Sequence, residues 1–460
     1  MNNSVGPSGK WDRHQSSEHH VSSGKSLALL WSQSHFPDSF LNTVMNLTAE
    51  HVARLRAQFP ALGRRVHDLP AVYFDGPAGT QVPQRVIDAI REYLVHHNAN
   101  HEGVFATSVA SDRVLDEAHR AAADFLGTAD SGTVAFGANM TTLTFALSRA
   151  LAKTWQPGDE IVLTRLEHDA NFTPWVLAAE DAGVTVRTID IDPSNCTLRL
   201  DEYRQVLGPR TRLVAVGCAS NAVGTVNPVK QVCGWAREAG ALSFLDAVHY
   251  APHDLISVED WQCDFLICSA YKFFGPHVGL MYGRRELLEA LQPYKLRPAP
   301  NDLPGRWMTG TQNHECIAGT LAAIDYLADI GRTVTDDAAL GRRAALASAF
   351  AAIRPYERAL LDRLLDGLSD LRALTVWGIT DPTRRHDRFP TVAVTHARLA
   401  AKPLAEHLAA HGIFAWHGNY YALPLTERLG LEPDGMVRIG MVHYNTTAEV
   451  DRLLDVLAKS

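Results

Sequence analysis

The segment Asp264–Pro276 is apolar through Ser269 and then presents an amine, Lys272, shortly before Gly275 and Pro276. Upstream, the apolar run Leu242–Leu245 ends in a carboxylate, Asp246, with His249 three residues on. A lysine in apolar surroundings tends to lose its proton, and the neutral amine is a nucleophile toward aldehydes. A carboxylate at a neighbouring strand end can keep a pyridine nitrogen protonated. Together they supply what pyridoxal phosphate (PLP) requires: a Schiff-base lysine and a partner for the ring nitrogen. The substrates implied are amino acids or other amines.

The elements that must carry these groups follow from the pattern between Ala71 and Gly310. Apolar or β-branched runs at Thr133–Phe136, Ile161–Thr164, Val184–Ile189, Leu213–Gly217, Leu242–Val248, Phe265–Ser269 and Gly279–Tyr282 read as strands. Helical stretches such as Thr141–Lys153, Phe172–Ala182 and Val229–Ala239 separate them. Alternating strands and helices predict a mostly parallel sheet covered on both faces. Ligands in such sheets sit beyond the carboxyl ends of the strands. His168, Asn221, Asp246, Ser269 and Lys272 all fall at or just after such ends. Beyond Gly310 the reading is long helices over 315–372, a strand at Thr391–Thr395, and a helix around Pro403–His411. A loop at Trp416–Leu425, a strand at Met436–Met441 and a final helix at Thr447–Ala458 complete a smaller α/β domain.

The expected organisation is therefore a disordered tail over 1–44, a segment over 45–70 packing with the small domain, a large PLP-binding domain over 71–315 and a small domain over 316–460. The tail is rich in Ser and His without periodicity, and His14, His19 and His20 read as solvated rather than as metal ligands. Thr48–His51 resembles a helix-capping box shifted by one residue. Met45 is a candidate physiological start. A net charge of -8 gives no reason to expect nucleic acid or an anionic membrane as partner. No run of residues reaches membrane-helix length. The six cysteines form no CxxC pair and read as reduced thiols, so a cytoplasmic location is expected.

From Tyr73 onward the chain resembles the class V aminotransferases of PLP fold type I, and within them the cysteine desulfurase-like branch. The resemblance rests on the order and spacing of Phe74–Ala78, Glu167–Asn171, Ser220–Thr225, Leu245–His249, Ser269–Lys272, Gly310–Thr311 and Met436–Arg438. It implies a catalytic pair, Lys272 and His168, with the His168 ring stacked on the cofactor. Asp246 would pair with the ring nitrogen, and Asn221 and His249 would bond near the ring hydroxyl and imine. Asn139, Met140, Thr141, Ser269 and Tyr271 would hold the phosphate. Thr311 would reach the phosphate of a neighbouring subunit, so a homodimer with a shared active site is implied. Arg438 would grip the carboxylate of a small amino-acid substrate, with Asp75, Gly76 and Tyr421 near the substrate.

One departure bears on mechanism. Desulfurases of this branch carry a persulfide-forming cysteine in a Gly-His-His-Cys-Ala loop before Pro-Leu. The matching loop here, Trp416–Leu425, has Tyr421 at that position, and no cysteine follows Cys316. The expected reaction is accordingly β-elimination or related C–S cleavage without an enzyme persulfide. The alternatives are a class V aminotransferase or epimerase of a specialised pathway and, outside enzymes, a PLP-binding scaffold or regulator. A scaffold would have no use for a carboxylate clamp such as Arg438.

Overall fold

The computed structural model describes residues 45–460; the tail over 1–44, with its histidines, lies outside the described residues. A seven-stranded sheet forms the centre: β1 (Val134–Gly137), β2 (Glu160–Thr164), β3 (Thr185–Ile189), β4 (Thr211–Gly217), β5 (Leu242–Asp246), β6 (Phe265–Ser269) and β7 (Gly279–Gly283). Their spatial order is β1-β7-β6-β5-β4-β2-β3. Only β7 runs antiparallel to its neighbours. The alternation of side chains along each strand feeds two cores. Phe244, Phe265, Ile267, Leu213 and Met281 pack on one face with Trp175 and Leu147. Leu245, Leu266, Cys268, Val214 and Leu280 pack on the other with Phe125, Val232 and Phe350. Burial on both faces explains why these strands, apart from the edge strand β3, read as largely apolar runs.

Helix α1 (Met140–Ala152) follows β1, and the long helices α2 (His314–Thr335) and α3 (Arg342–Ser369) lead to the second sheet. That sheet is antiparallel, in the order β8 (Leu374–Trp377), β9 (Thr391–His396), β11 (Met436–Gly440), β10 (Trp416–Gly418). Its core includes Val392, Val394, Val437 and Ile439 against Leu361, Leu365, Leu404 and Leu453. Val72 and Phe74 join this core, and Val72–Tyr73 pairs in parallel with Ile413–Phe414.

Two expectations change. The stretch Trp416–Leu425 is not one loop: it begins as β10 and ends in the short helix α4 (Leu423–Arg428), leaving only Asn419–Ala422 as a turn. Strand β10 escapes a periodicity search because it is three residues long and lies at the sheet edge. The capping box at Thr48 needs no shift. His51 itself fills the third helical position, its ring nitrogen accepting from the Thr48 N–H while Thr48 Oγ1 accepts from the His51 N–H.

The segment Asp75–Ala78 crosses β11 closely. The Gly440 N–H donates to the Phe74 carbonyl at 2.8 Å, and a Cβ on Gly440 would lie 2.0 Å from Pro77 Cδ. Only glycine permits this approach. Gly440→Ala should therefore displace Pro77 and lower the thermal midpoint. Gly234→Ala, in the helix Val229–Glu238 with open space around it, should leave the midpoint unchanged or raise it. Differential scanning calorimetry of the two variants checks this contrast.

Candidate active site

The carboxyl ends of β1, β2, β4, β5 and β6 open onto one cleft. Asn139, Met140, Thr141, His168, Asn221, Asp246, His249, Ser269, Tyr271 and Lys272 all line it. The parallel sheet thus gathers residues spread over more than a hundred positions of sequence. Glu167 also lines the cleft. At the sequence level it was only a neighbour of His168, with no role of its own.

Lys272 ends a short 3-10 turn immediately after β6 and is 8% exposed. Its Nζ donates to the Pro77 carbonyl and lies 5.0 Å from the Tyr271 ring centroid. Burial, and secondarily the charge of Arg438, pull its pKa down to about 7, against the opposing pull of Asp246. The amine is poised to gain or lose a proton near neutrality. Asp246 terminates β5, and its Oδ1 accepts from the Val248 N–H at 2.8 Å. Burial lifts its pKa to about 6, offset in part by that hydrogen bond and by Lys272.

His168 Nδ1 accepts from the Ala170 N–H at 3.0 Å, which leaves Nε2 as the protonated nitrogen of a neutral ring. Burial and the charges of Lys272 and Arg438 lower its pKa to about 4, so it stays neutral at pH 7. Its ring stacks on Tyr421 with centroids 5.6 Å apart. Ser269 Oγ accepts from the Met140 N–H at 3.0 Å, tying the first turn of α1 to the end of β6. Asn139 caps the same helix, accepting from the Thr142 N–H. The start of α1 therefore presents amide groups and its positive dipole end to the cleft, a setting that favours an anion. His249 is held by Thr391, Nε2 to Oγ1 at 3.1 Å, and burial keeps its pKa well below the ordinary histidine value.

Asn221 joins several parts. Its Nδ2 donates to the Tyr420 carbonyl at 2.9 Å, and its backbone carbonyl accepts from Arg438 Nη1 at 2.8 Å. Its Oδ1 is buried without a partner. Arg438 sits in β11, 4% exposed, with a pKa lowered by burial to about 10. Asp75 also has a buried, unpartnered Oδ1; burial raises its pKa to about 6 against the pull of its own backbone amide and of Arg438. Gly76 is buried against Val442 and Gly440.

Thr311 does not line the cleft. It is exposed in an adjoining cavity with His277 and Asn313, and His277 stacks on Tyr271 at 4.9 Å. Tyr421 is 72% exposed at the rim.

A buried amine, a buried carboxylate, an amide-rich helix start and the unpartnered Asn221 Oδ1 converge on one cleft. This donor and acceptor set fits PLP. The model for the aminotransferase class-V family matches residues 72–453. A cysteine desulfurase of Pectobacterium atrosepticum is 31% identical over 418 residues, 88% of this chain and 96% of that protein. One from Yersinia pseudotuberculosis is 29% identical over the same shares. Among solved structures, the apo cysteine desulfurase of Thermococcus onnurineus superposes with a TM-score of 0.80 at 25% identity, over 90% of this chain and 99% of its own. The Escherichia coli cysteine desulfurase CsdA, in an S-sulfonic acid form, gives 0.76 at 25% identity, over 90% and 98%. The chain belongs to the class V aminotransferase family. It is a PLP-dependent enzyme of fold type I, similar to the cysteine desulfurases.

Glu167 generates a prediction. Its carboxyl is 1% exposed and meets Thr164 Oγ1 and Asn171 Nδ2, each at 2.6 Å. Burial pushes its pKa up to about 8, with those bonds opposing. Between pH 4.5 and 8 the unfolded chain ionises this group while the folded chain holds the proton. Folding stability supplied here is therefore lost as pH rises through that window. Glu167→Gln copies the neutral acid and has no such loss. In thermal unfolding of the cofactor-free protein, the variant should gain on the wild type steadily from pH 5 to pH 8. A gap independent of pH would contradict the assignment.

Proposed function

We propose that this enzyme removes the sulfur substituent from cysteine or a similar small amino acid by β-elimination, without passing sulfur to a thiol of its own. The observation that carries this reading is that none of the six cysteines lines the cleft. Five are buried, and burial raises all six thiols above the ordinary value, Cys196 to about 11 and Cys233 to about 12. Thiolates are scarce at neutral pH under those conditions, and thiolates are the species that attack sulfur. At the rim position where the resemblance expects a reactive thiol stands the phenol of Tyr421.

PLP, when bound, supplies an aldehyde for amines and a ring that withdraws electrons from Cα. In this proposal Lys272 Nζ would hold the aldehyde group and, as a free amine, would move the proton at Cα. A pKa near 7 suits both directions of that transfer. Asp246 keeps the ring nitrogen protonated. The amide groups at the start of α1, with Asn139, Thr141 and Ser269, would hold the phosphate, and Tyr271 would add a phenol donor. Asn221 and His249 would bond near the ring hydroxyl, which gives the free Asn221 Oδ1 a partner. The neutral His168 ring would cover one face of the cofactor. Arg438 would take the substrate carboxylate by paired N–H bonds, with Asp75 and Gly76 beside it. The net reaction converts cysteine and water to pyruvate, ammonia and hydrogen sulfide.

A second copy of the chain would bring Thr311 to the neighbouring site. Val104 is fully exposed and Phe105 is 59% exposed, an apolar pair that a homodimer would cover. No described helix is long and apolar enough to cross a membrane. Six unpaired cysteines suit the reducing cytoplasm.

Incubation of the PLP-loaded protein with cysteine should release pyruvate and sulfide in equal amounts. Peptide mass spectrometry should find no added sulfur on any cysteine. Alanine as product, with a persulfide on a cysteine, would contradict the proposal. Keto-acid-dependent amino transfer without pyruvate would replace it with an aminotransferase reading.

A further inference from the structure

Asn419–Ala422 is a tight turn with an unusual composition. The Ala422 N–H donates to the Asn419 carbonyl at 2.7 Å, and the two central residues, Tyr420 and Tyr421, have φ of 56° and 59°. Positive φ at both central positions is the pattern of a type I′ turn, which ordinarily selects Asn-Gly. Two consecutive tyrosines there are strained. Such a conformation persists only where surrounding contacts fix it. Here Asn221 Nδ2 binds the Tyr420 carbonyl, and the Asp169 N–H binds the Tyr421 carbonyl at 2.6 Å. Tyr421 N–H donates to Asn419 Oδ1, and the Tyr420 phenol donates to the Met436 carbonyl.

The result is a fixed ring beneath a buried cation. The Arg438 guanidinium carbon lies 4.3 Å from the centroid of the Tyr420 ring. Its Nη1 is held by the Asn221 carbonyl on another side. Met436 and Arg438 lie two residues apart in β11, so the phenol is anchored to the strand that bears the cation it supports. A guanidinium over an aromatic face is attracted by the ring quadrupole, more so when desolvated. The ring also leaves Arg438 N–H groups free, since it consumes none of them.

We propose that Tyr420 is a positioning residue for substrate recognition: its ring holds Arg438 in the orientation that receives the substrate carboxylate. This rests on the reading of Arg438 given above. Tyr420 then acts through Arg438, and its removal should weaken ligands that carry a carboxylate while sparing those that do not.

The test uses the full-length PLP-loaded protein and two amines without a β-leaving group, L-alanine and ethylamine. Shifts in cofactor absorbance give a dissociation constant for each, and their ratio measures carboxylate recognition. Tyr420→Leu and Tyr420→Gly should reduce the preference for alanine about tenfold. Glycine suits the positive φ, so loss in that variant does not reflect a strained fold. Tyr420→Phe keeps the ring and should keep the preference. A wild-type preference that survives in the Gly variant would overturn the role of Tyr420 while leaving Arg438 in place. Loss in the Phe variant would assign the effect to the hydroxyl and overturn the proposal. Equal binding of both amines by the wild type would overturn the reading of Arg438 together with this one.

Discussion

An amine buried between two sheets is the constraint on which the rest depends. Lys272 comes from the end of β6, yet its Nζ bonds to Pro77, a residue held against β11 of the second sheet. A charged ammonium at this depth would cost several kcal/mol in lost hydration. The protein meets that cost in two ways: it lowers the proton affinity of the amine, and it sets Asp246 nearby as a counter-charge. An enzyme that must attach and release an aldehyde needs such a partly neutral amine. Under the proposed function, the same burial that is unfavourable for the charged amine would suit a nitrogen bonded to the cofactor.

The two sheets are tied together around this amine. The loop that follows β4 pairs with the segment that precedes β9: Val226 N–H donates to Asp387, and Phe389 N–H donates to Gly224. Arg388, buried, clamps the carbonyls of Thr391, Ile379 and Trp377. Asn221, in the same loop, bonds to both Arg438 and the Tyr420 turn. His249 reaches across to Thr391 in the same way. The groups proposed to meet cofactor and those proposed to meet substrate thus belong to one hydrogen-bonded frame. Motion of the second sheet would disturb both at once.

Much of this was legible in the sequence, for reasons that differ by element. The central strands are buried on both faces, so they appear as apolar runs, and their carboxyl ends mark where ligands bind. Lys272 and Asp246 could be located on that basis, whereas the roles expected of His168 and Asn221 rest on the family resemblance. Strand β8 was missed although Leu374–Trp377 is apolar and β-branched, because it is only four residues long and half exposed at the edge of its sheet. Strand β10 was hidden for the same reason. The partnership of Tyr420 with Arg438 joins residues from separate strands through a turn whose strain is visible only in three dimensions. The buried acid Glu167 could have been suspected from its position between the end of β2 and Asn171, since a carboxyl there must be paired or neutral. Its neutrality comes from burial, against the opposing hydrogen bonds of Thr164, Asn171 and Gly217, and that burial is revealed by no single segment of sequence.

The central claim is that the buried Lys272 amine carries the cofactor. Reduction of the PLP-loaded protein with borohydride, followed by proteolysis and peptide mass spectrometry, tests it directly. The account predicts the added pyridoxyl phosphate mass on the peptide containing Lys272 and on no other. That mass on a different lysine, or its absence from all peptides of a protein that binds PLP, would contradict it.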